Sequence, residues 1–317
     1  MASLTFTLSE KLNEEIEKIE NLKKEILLFP LPVKTEIRMR WEALVDKIYW
    51  SMALIDDPVS KKDIVKILKT TRTKKKTPTE KRVVELNDVF NFIYYEWLAS
   101  QSPITINTLK KIYELGCKDE RPGPAISKSD EKELAKTLAY IQTGSDHPII
   151  KAGIIQIQIL DTVPFRYANN RMSRLASYLF LYKHYYDLKQ LLVLEEYYRQ
   201  DIVSFNQAIE SATKGNNLTL WLEYFSQGVS SQSQKVLNEL KEGISNPTLP
   251  VSYFRLNERQ KKIMALVAKP NLVITNKKVQ EMFGISQITA SRDLSKLSNI
   301  GLLVAHGKGR GVYYTRI

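Results

Sequence analysis

The stretch from Val163 to Arg174 reads VPFRYANNRMSR, and its side chains are those best suited to chemistry. Asn169, Arg171 and Arg174 stand where a loop runs into a helix, the two arginines three residues apart on one helical face. Guanidinium groups in that arrangement, beside a helix N-terminus, can hold a nucleotide phosphate or another anion. The same side chains can instead cap the helix and pair with neighbouring carboxylates, serving the fold alone. A second set lies near the C-terminus, where QITASRDLSKL follows Ser286. Gln287, Thr289, Ser291, Arg292 and Lys296 fall on or near one face of that stretch. Small polar groups at the start of such a helix can hydrogen-bond base edges, while Arg292 and Lys296 can meet either a guanine or a phosphate. The lone cysteine, Cys117, has no histidine or cysteine neighbour at ligand spacing, so neither a disulfide nor a metal site is expected.

Composition narrows the classes. The 317 residues suffice for two folding units, and no apolar run approaches the roughly 20 residues of a membrane span. The N-terminus has no basic start followed by an apolar block, so no export signal is expected and a reducing cytoplasm fits. A net charge of +12 favours a polyanionic partner. Twelve Lys or Arg against Glu258, Glu281 and Asp293 give the stretch from Arg255 to Ile317 a net +9, so most of that charge sits in the last fifth of the chain.

Helical periodicity dominates. Leu8, Leu12, Ile16, Ile19, Leu22 and Ile26 recur at three- and four-residue steps, predicting a first helix that ends near Pro30. Further helices are expected over about 34–55, 60–69, 79–99, 106–115 and 128–142, with Thr70–Arg82 holding a solvated basic loop. HPIIKAGIIQIQIL reads as a helix buried all round, with Asp146 as its cap and Pro148 in its first turn. Helices over about 170–186, 193–213 and 218–241 follow. GISNPTLPVS, from Gly243 to Ser252, has the composition of a linker. The expected division is an N-terminal helix over 1–30, a helical body over 31–243, a linker over 244–254 and a small module over 255–317.

In that module a support helix from Leu256 precedes NKKVQEMF, which Thr275 can cap and Gly284 can end. Ser286 then caps the third helix, and Val279, Met282, Phe283, Ile285, Ile288, Leu294 and Leu297 form the predicted buried seam. GLLVAHGKGRGVYYTRI follows as two strands around a tip bearing Lys308 and Arg310. The pattern resembles the winged-helix domains of bacterial regulators. That resemblance implies double-stranded DNA as partner, with Ser286, Gln287, Thr289, Ser291, Arg292, Lys296, Lys308 and Arg310 at the interface, and by precedent a homodimer on a two-fold operator.

The body resembles the Fic (Fido) family, whose H-P-F-x-[D/E]-G-N-G-R-x-x-R motif is matched here at Pro164, Phe165, Asn169, Arg171 and Arg174. The fold class implied is mostly α: a Fic-like helical bundle followed by a small winged helix. Members transfer AMP from ATP to a protein hydroxyl, with the histidine as general base and the acidic residue holding Mg²⁺. Here Val163 stands at the histidine, Tyr167 at the acidic position, and Ala168 and Asn170 at two glycines. Loss of a general base alone costs about 10²- to 10⁴-fold in rate, so the resemblance implies no efficient catalysis and no confident cofactor. His147, His184 and His306 read as bystanders. WSMALIDDPVS, from Trp50 to Ser60, resembles the family's inhibitory helix with Met52 at its serine and Asp56 at its glutamate, implying an Asp56–Arg174 pair. CKDERPGPAIS, from Cys117 to Ser127, is short for the flap that docks a target. A DNA-binding regulator with a degenerate AMP-transferase site is therefore the first expectation. A nucleotidyltransferase using ATP and Mg²⁺ by a non-standard route is the second, and a purely structural protein the third.

Overall fold

Ser9 starts the first helix, its Oγ accepting from the Leu12 backbone N–H, and the Leu12, Ile19, Leu22, Ile26 stripe of α1 (Glu10–Leu28) buries itself in the main core. The computed structural model describes residues 5–69, 76–98, 103–117, 125–215, 217–242, 256–267, 272–300, 302–307 and 311–316. The linker expected over 244–254, Lys308 and Arg310, residues 70–75 of the segment at 70–82 and residues 118–124 of that at 117–127 lie outside the described residues.

The body continues through α2 (Val33–Ala53), α3 (Lys61–Lys69) and α4 (Pro78–Asn91), the last opened by a Thr77–Glu80 capping box with Pro78 in its first turn. Instead of one α-helix over 79–99, α4 passes at Phe92 into a π-helical turn, Phe92–Trp97, which buries Ile93 and Trp97. Then come α5 (Ile106–Gly116), α6 (Lys128–Thr143), α7 (Pro148–Thr162) and α8 (Asn169–Lys183). Ten positions of α7, among them Ile149, Ile154, Gln156 and Ile159, are buried, as its strongly apolar sequence predicts. Its cap differs from expectation: His147, not Asp146, precedes Pro148, and its Nδ1 accepts from the Ile149 backbone N–H (3.3 Å). The helix expected over 193–213 is broken at Asp201 into α9 (Leu194–Gln200) and α10 (Ile202–Gly215), before α11 (Thr219–Lys241) closes the body.

At the centre α7 lies against α8 and α11. Trp221 Nε1 donates to the Gly153 carbonyl (2.8 Å), a contact possible because Gly153 has no side chain between the helices. The turn from α8 to α9 carries three successive left-handed residues, Leu188, Lys189 and Gln190 (φ 52°, 61° and 71°). Two of its carbonyls are taken from α2, Lys189 O by Arg40 Nε (3.2 Å) and Gln190 O by Lys47 Nζ (2.7 Å). Such backbone persists only where its surroundings hold it.

The C-terminal module comprises α12 (Glu258–Leu266), β1 (Val273–Thr275), α13 (Asn276–Phe283), α14 (Gln287–Asn299), β2 (Leu303–His306) and β3 (Tyr313–Arg316). The caps fall where the sequence places them: Thr275 accepts from Lys278 N, Ser286 from Thr289 N, and Gly284 adopts φ 60°. β2 and β3 form the expected antiparallel pair, Leu303 opposite Arg316 through His306 opposite Tyr313. β1 is an addition: it pairs with β3, Val273 opposite Thr315, to make a sheet of order β1-β3-β2. Two seam residues are corrected, since Ile288 is 63% and Met282 45% exposed, while Ala290 is buried in their stead. Ile288, in the first turn of α14, lies on the face opposite the buried Ala290, Leu294 and Leu297.

The module is packed on the body. Ile300 joins a core cluster with Trp41, Val45, Ile48 and Met52 of α2, Ile64, Val65 and Leu68 of α3, and Val83 and Leu86 of α4. Asn299 Nδ2 donates to the Leu68 carbonyl across the same contact.

A methyl group at Gly153 would lie 2.8 Å from Leu222 Cδ2 and 3.2 Å from Phe225 Cδ1. Overpacking of this kind costs about 1–3 kcal/mol, so Gly153→Ala is expected to lower the unfolding free energy of the full chain by that amount, read as a lower urea midpoint with an unchanged slope.

Candidate functional site

The motif loop between α7 and α8 is built on two left-handed residues. Val163 (φ 47°) ends α7 and Ala168 (φ 56°) immediately precedes α8. Asn169 closes the turn between them: its Oδ1 accepts from Phe165 N (2.9 Å) and its Nδ2 donates to Phe165 O (2.6 Å). Phe165 is buried and stacks on Tyr113 of α5 with ring centroids 5.5 Å apart. Ala125 and Ile126 lie across the same loop, Ala125 O accepting from Arg166 N (3.0 Å) and Ile126 bridging Phe165.

The loop bears its substituted positions outward. Val163 is 57% exposed, Asn170 exposed and Tyr167 half-buried. No proton-accepting group stands at Val163, and the phenol of Tyr167 is a poor hard-cation ligand beside a carboxylate. Among the described residues no group of three His, Cys, Asp or Glu side chains is placed to hold a metal ion.

The arginines point inward. Arg171 is 7% exposed, with Nη1 donating to the Gly116 carbonyl and lying 3.7 Å from Glu85 Oε2, itself buried on α4. Arg174 is 5% exposed; burial works to lower its pKa, and the carboxylate of Glu195 on α9 opposes that shift. Among the described residues its Nη2 has no hydrogen-bond partner. Glu195 accepts from Tyr178 Oη (2.6 Å) and Ser51 Oγ (3.3 Å). It also faces Lys47, buried beside the rings of Phe90, Tyr94 and Tyr182 at 5.7, 5.3 and 5.9 Å. Burial brings the Lys47 ammonium down to about pKa 8, with Glu195 and Asp187 resisting the shift. Glu85, Glu195 and Lys47 were not among the residues singled out by sequence. The one available sign is that Lys47 and Ser51 are a turn apart on a helix whose Trp41, Val45, Ile48 and Met52 bury another face.

The expected Asp56–Arg174 pair is not formed. Helix α2 ends at Ala53, and Asp56 lies three residues beyond it in a left-handed turn (φ 54°), exposed to solvent. Its neighbour Asp57 is the residue engaged, with Arg82 (2.7 Å) and Thr79 (3.0 Å). Too short to reach inward from that turn, Asp56 leaves Arg174 to Glu195.

On the C-terminal module, Gln287 and Arg292 are exposed and Thr289 half-buried at the open end of α14. Ser286 caps the helix, and Ser291 Oγ accepts from Asn276 Nδ2 (2.7 Å), so both serve the α13–α14 turn in the unbound protein. Arg259 and Gln260 of α12 hold the buried Asp293, leaving Arg292 to the outside. Lys296 lies farther along α14, beside Lys69 of α3.

The arrangement defines a Fic fold joined to a helix-turn-helix. The profile of the DeoR-like helix-turn-helix domain matches residues 259–313. A Fic family protein from Desulfovibrio desulfuricans G20 superposes with a TM-score of 0.62 at 13% identity, covering 98% of this chain and 97% of that one. Fic-1 from C. elegans superposes with a TM-score of 0.60 at 16% identity over 73% of each chain. The chain is thus a Fic-fold protein with a C-terminal DeoR-like helix-turn-helix domain. No curated protein sequence matches it. No helix among the described residues is long and apolar enough to cross a membrane.

Left-handed backbone costs a residue with a Cβ about 1–2 kcal/mol. Ala168→Gly is therefore expected to stabilise the chain by about 1 kcal/mol, less the added entropy of the unfolded glycine, measured by urea denaturation. Lys47 gives a pH signature. The folded protein releases its proton near pKa 8 and the unfolded chain near 10.5, so the unfolded state binds more protons in between and stability rises with pH across that window. Lys69, also held near 8 by burial and Lys296, acts in the same direction. Denaturation midpoints taken from about pH 7.5 to 9.5 should rise for the unaltered chain, and rise less for Lys47→Met.

Proposed function

We propose that this protein is a DNA-binding regulator whose Fic-fold body no longer carries out AMP transfer. The observation that carries the reading is the burial of Arg171, 3.7 Å from Glu85, and of Arg174, under the charge of the buried Glu195, in a loop with Val163 at the position of the general base. An incoming triphosphate would have to displace those carboxylates, and the proton of a target hydroxyl would have no acceptor. DNA binding is supported by the helix-turn-helix match, the net +9 of the last sixty-odd residues and the outward Gln287, Thr289 and Arg292. Ser286, Ser291, Lys296, Lys308 and Arg310 complete the proposed interface, the two serines after release from their internal bonds. Occupation of a two-fold operator by a homodimer belongs to the same proposal.

A second reading, residual nucleotide binding or transfer, is favoured by the unpartnered Nη2 of Arg174. Calorimetry of ATP with Mg²⁺ separates the two. The regulator reading expects no heat of binding and no label transferred from ATP to protein; binding that Arg171→Ala with Arg174→Ala abolishes would overturn it in favour of the second.

For DNA, selection from a random duplex pool with the full chain should return a defined site. Arg292→Ala is expected to weaken binding to that site by about 1–3 kcal/mol if the side chain reads a guanine, or to weaken all duplexes alike and reduce the salt slope by about one if it meets a phosphate. A chain that enriches no sequence and binds no duplex sinks the proposal.

A further inference from the structure

Helix α3 of the body carries Lys62, Lys66 and Lys69, a spacing of four and three residues that aligns them in one stripe. Lys62 and Lys66 are exposed and Lys69 half-buried. The stripe is distinct from the face that buries Ile64, Val65 and Leu68 against α2 and α4. Lys61, off the stripe, turns back to Asp46 (2.6 Å), and Asp63 is held by Ser60 Oγ (2.7 Å) at the helix start.

The position of α3 gives these lysines meaning. Asn299, at the end of the recognition helix, donates to the carbonyl of Leu68, the residue before Lys69. Ile300, next in the chain, is buried among Ile64, Val65 and Leu68. Lys296, one turn earlier on α14, therefore stands beside the last turn of α3. Two ammonium groups held side by side by packing repel each other, and Lys69 is lowered to about pKa 8 by burial and by Lys296. A polyanion laid across both would remove that repulsion. Lysines in the last turn of a helix also suit its dipole, but dipole complementarity asks nothing of Lys62, at the other end.

We propose that the Lys62, Lys66, Lys69 stripe on the body continues the DNA interface of the recognition helix through Lys296, gripping the phosphate backbone that flanks the base-reading end. It rests on the DNA-binding reading above and assigns the Fic fold a direct part in it. The helix-turn-helix reads sequence; the body supplies sequence-independent, salt-sensitive affinity. Over the three lysines α3 advances about 10 Å, enough to follow successive phosphates of one strand.

The test uses the full-length chain and the duplex it selects, with affinity measured against salt concentration. The triple variant Lys62→Gln, Lys66→Gln, Lys69→Gln is compared with Lys18→Gln, Lys24→Gln, Lys132→Gln, an equal charge change at exposed sites on α1 and α6. The expected result is a slope of log K against log salt reduced by about one for each contacting lysine, two to three in all, with base preference unchanged. The control set should keep the original slope, and Lys→Arg at the three stripe positions should restore it. Equal slopes for stripe and control variants overturn this inference and leave DNA reading by α14 intact. Failure of the unaltered chain to bind any duplex overturns both.

Discussion

Glu195 is the point on which the body depends. It is 1% exposed at the meeting of α2, α8 and α9, and receives hydrogen bonds from Tyr178 and Ser51 while facing Lys47 and Arg174. Each of these ions loses several kcal/mol of hydration on burial, a loss offset by their mutual charges, by the Tyr178 and Ser51 bonds to Glu195 and by the Tyr94 and Gln190 bonds to Lys47. Removing Glu195 would leave Lys47 and Arg174 without the buried carboxylate that opposes their desolvation. Arg171 and Glu85 repeat the arrangement one turn earlier on α8. The helix following the motif is therefore riveted to α2, α4 and α9 by charge as well as by the packing of Tyr178, Leu179 and Tyr182.

That explains how the motif can be half kept and half lost. Among the positions retained, Phe165, Asn169, Arg171 and Arg174 all have internal work: a stacked ring, a closed turn, a buried ion pair with Glu85 and a buried guanidinium under the charge of Glu195. Breaking a buried pair costs about 3–5 kcal/mol, a large share of the 5–15 kcal/mol that holds a domain folded. The positions replaced, Val163, Tyr167 and Asn170, have exposed or half-exposed side chains on which the fold makes no such demand. Ala168 is the exception, since its backbone keeps the left-handed turn a glycine would favour while carrying a methyl group. Along this one short segment the side chains that support the fold point inward and the others outward.

What the sequence discloses follows the range of each interaction. Caps and turns are local, so Thr275, Gly284 and Ser286 are readable from a few neighbours, as is the strongly apolar run of α7. His147 in place of Asp146 shows the limit: adjacent residues competed for one cap, and His147, which also meets Tyr186 and Glu20 from distant elements, took it. Lys47 and Glu195 stand 148 residues apart and Glu85 and Arg171 86, and nothing in their own neighbourhoods marks them as partners. Strand β1 is only three residues long and exists through pairing with β3 at the far end of the module. Ile288 has the type of a core residue but lies on the face of α14 opposite Ala290, Leu294 and Leu297, so its exposure follows the helix's own period.

The contact between module and body ties these two halves into one mechanical unit. Ile300 is 3% exposed, and its cluster is built largely on α2, the helix whose other side holds Lys47 and Ser51 toward Glu195. Burying such a side chain is worth about 1.5–3 kcal/mol, the magnitude by which coupled sites in proteins generally influence one another. Leu256 and Leu302 strengthen the joint, since each packs against both the body cluster and the core of the module. The orientation of α14 is consequently set by the packing of α2 and α3 and not by the connecting segment alone. The helix that faces solvent with Gln287 and Arg292 thus rests, through Ile300, on the same α2 that holds Ser51 and Lys47 toward Glu195.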